Sequence, residues 1–147
     1  MKKIALLLAI ITIPLATFAQ GSFDSFENEK DVTSVVVTKN MFKLLSKMDL
    51  NSKDPEVKDY LKMVDNLETI KIFTTENPEV GARMSAQVNE YVSSNNELSE
   101  LMRVKDEDTR MKIYVKATKN KAYVSEVLMF VNGAGKKSNK NVESVII

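Results

Sequence analysis

Residues 110–118 read RMKIYVKAT, and apolar and polar side chains alternate along them. This period of two is typical of a β-strand that is buried on one face only. The pattern predicts that one set faces a hydrophobic core, namely Met111, Ile113, Val115 and Ala117. The other set is predicted to face solvent, namely Lys112, Tyr114 and Lys116. A sheet with one wet face is usually antiparallel, so this segment decides the fold class.

Further strand patterns lie on both sides of this segment, and short polar turns separate the later ones. They cover residues 32–38, 67–75, 101–105, 122–131 and 142–147. The first is rich in β-branched residues, which favour strands. Because the last strands follow one another closely, we expect them to form an antiparallel meander.

Three segments carry a helix pattern. Residues 40–48 place apolar side chains at helical spacing. Residues 54–56 (DPE) and 77–79 (NPE) are both helix starts, because Asp or Asn caps the helix, Pro suits its first turn and Glu favours its positive end. The second helix then carries an apolar stripe of Val57, Tyr60, Leu61 and Val64. The third runs to about residue 93, with Val80, Met84, Val88, Tyr91 and Val92 inward.

These elements predict an α+β fold, a mostly antiparallel sheet with two to three helices packed on one face. We expect a single domain over residues 32–147, preceded by a polar segment at residues 20–31. The sequence stops at Ile147 within a strand pattern. Our hypothesis is that this copy is C-terminally truncated, and an in-frame stop codon directly after Ile147 in an intact gene would contradict it.

The first twenty residues form an export signal. Lys2 and Lys3 precede an apolar run at residues 4–18, which is followed by Ala19 and Gln20. This arrangement is typical of a secretory signal peptide, and the run is short for a membrane-spanning helix. We predict a signal peptide at residues 1–19 and no integral membrane segment after cleavage. The mature protein is expected to be soluble, in the periplasm or outside the cell.

Composition excludes several classes of chemistry. The chain has no Cys and no His, which removes thiol chemistry and the commonest general base and metal ligand at neutral pH. Its net charge is +1, and loss of Lys2 and Lys3 leaves 19 basic against 20 acidic residues, a charge of −1. This near-neutral charge gives no electrostatic indication of nucleic-acid binding. We expect no cofactor, no metal site and no catalytic residues, which favours a protein that is not an enzyme.

Two short motifs resemble ligand sites but lack the spacing that those sites require. Residues 133–138 (GAGKKS) lack the first glycine of a phosphate-binding loop, and a second Lys separates the first Lys from Ser. Residues 106–108 (DED) lack the alternate spacing and the later Glu of a calcium loop. We interpret the first motif as a solvated hairpin loop and the second as a polar turn.

Four aromatic residues are candidates for a partner surface: Phe23, Phe26, Tyr114 and Tyr123. The two Phe residues belong to the polar segment, where they form either an arm that engages a partner or a pair of rings that dock on the core of their own domain. Docking is the interpretation we favour. The two Tyr residues either form a recognition patch on the wet face of the sheet or are partly buried.

Several segments together resemble a known family. They are residues 35–42 (VVVTKNMF), 100–105 (ELMRVK), 113–116 (IYVK) and 125–128 (SEVL). Across residues 22–147 the chain is similar to the family named domain of unknown function 4252, exported proteins of Bacteroidota. The resemblance implies a small envelope protein, encoded near extracytoplasmic-function sigma factors. It supplies no catalytic or binding residues, and this chain has no Cys to carry a lipid anchor.

The function that we expect is a non-enzymatic module of the cell envelope that binds another envelope protein, with a link to envelope stress signalling. One alternative is a structural or adhesive module that self-associates through an edge strand at residues 142–147. Another is a hydrolase that uses two carboxylates, which requires a cleft with two acids of perturbed pKa.

Cleavage after Ala19 predicts a mature protein that begins at Gln20, because signal peptidase requires a small residue before the cut. Intact-mass measurement of protein recovered from the native envelope should show the loss of residues 1–19. The variant Ala19→Arg should keep its leader. Recovery of the unaltered protein with Met1 in place would contradict the export signal.

Overall fold

The structure is a computed structural model that describes residues 22–48, 66–120, 123–133 and 142–147 of the 147-residue chain. The predicted signal peptide and its cleavage site lie outside the described residues. So do the helix predicted to start at residues 54–56 and most of the GAGKKS loop.

Within these ranges the chain forms six strands and two helices. In order they are β1 (Val32–Thr38), α1 (Lys39–Met48), β2 (Thr69–Thr75), α2 (Pro78–Ser94), β3 (Leu98–Asp106), β4 (Thr109–Ala117), β5 (Val124–Asn132) and β6 (Ser144–Ile146). A 3-10 turn (Asp24–Phe26) precedes them. Every strand and helix that the sequence predicted in this part of the chain is present.

The strands form one sheet in the order β1-β2-β6-β5-β4-β3, and all neighbours are antiparallel. The predicted meander is found in β3, β4 and β5. The prediction that residues 142–147 form an edge strand is wrong, because β6 lies between β2 and β5. The edges are β1 and β3. Local sequence carries no information on this pairing, which joins β6 to a strand about 70 residues earlier in the chain.

Helix α2 covers one face of the sheet and contacts β2, β5 and β6. Asn77 caps it by accepting hydrogen bonds from the backbone N–H groups of Glu79 and Val80. The helix lies close to β6 at Gly81, where an added Cβ would come within 2.8 Å of the Ser144 hydroxyl oxygen. The buried core between helix and sheet comprises Phe26, Phe73, Val80, Met84, Val88, Tyr114, Leu128, Phe130 and Ile146.

Helix α1 contacts β1. The mixed α+β class and the antiparallel sheet are therefore confirmed, whereas the packing of all helices on one face stays a prediction.

The structure corrects the predicted orientation of β4. Tyr114 is only 6% exposed and belongs to the core, opposite Leu128 on β5. Because side chains alternate along a strand, Ile113 and its two-residue neighbours lie on the other face of the sheet. The ammonium group of Lys116, farther along the strand, reaches Glu97 beyond the helix.

The N-terminal segment docks on its own domain, as favoured from the sequence. The ring of Phe26 lies 6.1 Å from that of Phe73, and the ring of Phe23 meets Tyr91 edge-on at 5.3 Å. Lys71 of β2 forms ion pairs with Asp24 and Glu27. Aromatic contacts and ion pairs together attach the segment to the sheet.

The variant Met84→Ala should destabilise the domain by about 2–5 kcal/mol, because it leaves a cavity at a fully buried position between α2 and the sheet. Urea unfolding followed by circular dichroism measures this loss. The control Met41→Ala makes the same change on the exposed side of α1 and should alter stability by less than about 0.5 kcal/mol. Equal effects of the two variants would contradict the described core.

The hydrogen bonds that the Lys71 ammonium donates to the carboxylates of Asp24 and then Glu27 raise the pKa of Lys71 above its usual value. A raised pKa in the folded state stabilises the fold fully below the pKa of the unfolded chain, about 10.4, and this contribution is lost as pH rises through the folded pKa. The variant Lys71→Met should therefore show a shallower alkaline loss of unfolding free energy than the wild type. The control Lys105→Met, at an exposed position of β3, should retain the wild-type slope.

Candidate functional site

The face of the sheet opposite α2, here called the outer face, is lined by apolar side chains that follow the strand register. Cross-strand partners share a face, so two rows can be traced across the sheet. One row runs through Thr74, Val145, Val131, Met111 and Val104. The next runs through Ile147, Met129, Ile113 and Met102. The pairs Val35–Ile72 and Val37–Ile70 extend the surface onto β1 and β2.

Most side chains of these two rows are half-buried, and exposed positions are found at several points of the outer face. Val104 is 40% exposed at one side of the sheet, Val127 is 53% exposed near its centre, and Val35 is 46% exposed at the other side. Single exposed apolar residues are common, but a contiguous apolar patch on a monomer marks an interaction surface.

The charged side chains of β4 and β5 lie on the side of α2 and not on the outer face. The charged residues of β4 and β5 are Arg110, Lys112, Lys116 and Glu126. All four share the strand parity of Tyr114 and Leu128, so they lie on the face of α2. A sheet face that is meant only for water normally carries the charges itself. Here the outer face carries the aliphatic side chains of β4 and β5, and their charges lie on the side of α2.

A cavity of about 450 Å³ opens in the sheet next to this surface. Strand β6 pairs with residues 73–75 of β2 and residues 130–132 of β5, and Ile147 adds one further pair with Met129. The cavity lies between β2 and β5, next to Ile147. It is lined by residues 66–71, 124–127, 129 and 147. We call it the strand gap.

A second cavity, of about 930 Å³, lies at the end of β2 where α2 begins, and its lining includes Asp31, Glu76 and Glu79. The hydrogen bonds at this cavity form part of the junction between β2 and α2. The Thr75 hydroxyl donates to the Asp31 carbonyl at 2.7 Å, and the Asn77 side-chain amide donates to the Asp31 carboxylate at 3.2 Å. Among the described residues, no group of three or more carboxylates is arranged to hold a metal ion.

Among the described residues, the two carboxylates with shifted pKa values are both ion-pair partners. Hydrogen bonds from Arg83 and Arg103 lower the pKa values of Glu29 and Glu100, respectively. A general acid needs a raised pKa, so neither residue supports the hydrolase alternative. The acidic run at residues 106–108 forms the β3–β4 hairpin turn, as predicted.

The aromatic residues proposed from the sequence as a partner surface are not brought together. Phe26 is 2% exposed and Tyr114 6% exposed, whereas Tyr123 is 66% exposed. Phe23 is half-buried against Tyr91, whose hydroxyl donates to Glu126 at 2.7 Å. Burial raises the pKa of Tyr91, which keeps this donor protonated.

Sequence analysis missed the outer face as a site. Its signal was the alternation in residues 110–118, which we attributed to core packing because aliphatic side chains are more often buried than tyrosine. The strand gap left no local signal, because it depends on which distant strands β6 joins.

No helix in the described ranges has the length and apolar character needed to cross a membrane.

Comparison with known proteins gives one match. The model of the family described as domain of unknown function (DUF4252) matches residues 26–147. No curated protein and no solved structure matches the chain. The match begins at the buried Phe26 and covers all six strands and α2, so it includes the outer face and the strand gap. The chain belongs to the DUF4252 family, as the resemblance of its strand and helix segments indicated.

Proposed function

We propose that this protein is an exported, non-enzymatic module of the cell envelope that binds another envelope protein through its outer face. The observation that carries the proposal is the inverted polarity of β4 and β5, with their charges on the helix side and aliphatic side chains on the opposite side. The N-terminal signal pattern supports export. Membership of the DUF4252 family supports the proposal that the envelope is that of a bacterium of the Bacteroidota. A link to envelope stress signalling is part of the same proposal.

The energetics favour a protein partner for this surface. Burial of apolar area contributes about 25 cal/mol per Å², and β-branched side chains on a sheet lose little rotamer freedom when a partner covers them. The rows of the outer face consist mainly of Val, Ile and Met, and methionine adapts its shape to different contacts. A flat apolar surface of this kind suits the apolar face of a helix or sheet of the partner.

One alternative has an observation in its favour. Strand β3 is an edge of the sheet and is exposed along most of its length, including Leu101 at 66%. Exposed edges can pair with a second copy, which would give a self-associating structural or adhesive module. A monodisperse monomer at high protein concentration would contradict this alternative.

The variant Val104→Asp should reduce recovery of the envelope partner at least about tenfold, since it places an unpaired charge within the apolar contact. The measurement is mild crosslinking in the native envelope, purification of the full-length protein and quantitative mass spectrometry. Lys105→Asp is the matched control, because it makes a larger charge change on the same strand but on the opposite face. It should leave recovery of the partner unchanged. Equal recovery with both variants would contradict the outer face as the binding surface.

A further inference from the structure

Strand β1 is an edge of the sheet that lacks the features that usually protect such edges. It lies at one end of the strand order and pairs with β2 over all seven of its residues without a register shift. Its sequence, VTSVVVT, contains no charge, no Pro and no Gly. Natural proteins usually interrupt an exposed edge with charges, Pro or a bulge, because a regular edge pairs with other strands. The other edge, β3, has both a register shift and charged residues.

The backbone groups of every second residue of β1 point away from the sheet. The Val32 N–H donates to the Glu29 carbonyl at 3.3 Å in the turn before the strand, so Val32 is not directed toward β2. Because antiparallel strands alternate these directions, Ser34 and Val36 also direct their N–H and C=O groups away from β2. No strand in the described ranges pairs with β1 on this side. The edge therefore offers the donors and acceptors of two residues to an incoming strand.

This edge is separate from the strand gap. Strand β2 lies between β1 and β6, so an extension of β6 along its own line would pair with β2 and β5 and not with β1. The connection from α1 to β2 contains residues 54–64, which lie outside the described residues and whose sequence predicts a helix. A helix pairs its backbone groups internally, so this prediction supplies no strand for the edge of β1.

The edge is complementary to itself. When two copies of β1 run antiparallel about a two-fold axis at Val35, Ser34 of each copy lies opposite Val36 of the other, and the strands overlap along their whole length. The residues that direct their backbone groups outward then face one another, as a hydrogen-bonded antiparallel pair requires. Since β1 carries no charged residue, no like charges meet across the contact.

The residues that flank β1 are complementary in the same register. Asp31 precedes the strand and Lys39 follows it, so an antiparallel second copy brings its Lys39 to the end where Asp31 lies. The Lys39 ammonium pairs with Glu68 and has further N–H donors, and the exposed Asp31 carboxylate, which accepts from Asn77, has further acceptor positions. Opposite charges at both ends of the contact favour this register over shifted ones.

We propose that two copies of this protein associate through β1, with Val35 at the two-fold axis, and join their six-stranded sheets into one. The contact is isologous, because the same patch serves both copies. It goes beyond the proposed function, since it uses the edge of β1 and leaves the outer face of β3, β4 and β5 accessible. Val35 belongs to the outer face, so the apolar surfaces of the two copies become continuous across the axis.

Disulfide trapping tests the pairing and its register, because the chain has no cysteine of its own. Val35→Cys places two thiols on facing residues of a non-hydrogen-bonded pair, with Cβ atoms about 4.5 Å apart, within reach of a disulfide. Oxidation of the mature protein should then give a covalent dimer on a non-reducing gel. Thr33→Cys is the matched control, since it is also exposed, but its two copies would lie about 13 Å apart along the strands and should stay unlinked. Equal crosslinking of the two variants, or none of either, would overturn the inference.

Proline variants test which edge is used. Ser34→Pro removes an outward N–H that β2 does not use, so the domain should fold, as circular dichroism can verify, but sediment as a monomer. Lys105→Pro makes the same change on the edge of β3, because alternation from the Met129–Ile147 pair directs the Lys105 N–H away from β4. This control should sediment as a dimer, like the unaltered protein. A dimer that only Lys105→Pro disrupts would contradict association through β1.

Hydrogen exchange in the unaltered mature protein decides the point without any variant. Exchange at the Ser34 and Val36 amides should slow at least about tenfold between dilute and concentrated protein. A monomer at up to about 1 mM, with exchange that does not depend on concentration, would overturn the inference. Val104→Asp should leave the dimer intact while it reduces recovery of the envelope partner, so failure of this inference and failure of the proposed function are distinguishable.

Discussion

The pairing of β6 with two strands at once is the constraint on which the rest of the structure depends. Ile146 is almost fully buried between Phe73 and Phe130, so one side chain joins the β1–β2 half of the sheet to the β3–β5 half. Next to it, the Ser144 hydroxyl accepts from the Asn132 amide at 3.3 Å and lies under Gly81 of α2. Helix and sheet therefore meet at a strand of three residues.

Strand β6 connects the two halves of the sheet through residues 144–146. Phe73 and Phe130 pack across it, and the strand gap lies next to Ile147. The ion pairs of Lys71 with the N-terminal segment lie beside that opening.

Local sequence predicted most of the elements and little of their arrangement. The Asn77-Pro78-Glu79 start of α2 and the β-branched run of β1 determine their own conformations, since capping and side-chain branching act within a few residues. The face that each strand presents to α2 depends on nonlocal packing. Tyr114 is inside, although the alternation around it indicated the reverse. The alternation that marks the outer face was visible in the sequence, but it was assigned to the core side of the sheet. The strand gap could not be predicted, because its position depends on the order of the strands.

The edges and the face of the sheet differ in how they discourage unwanted association. Edge strand β3 has a register irregularity between Glu100 and Met102, and it carries Arg103 and Lys105. Irregularity and charge are both features that hinder edge-to-edge pairing. The outer face has no such protection in β4 and β5, whose charges lie on the other side. On a sheet face that is only tolerated as exposed, charged residues would be expected, because they stay hydrated there at the least cost. The charges of β4 and β5 would then lie on the outer face. Their placement on the side of α2 instead is the observation on which the proposed partner surface rests.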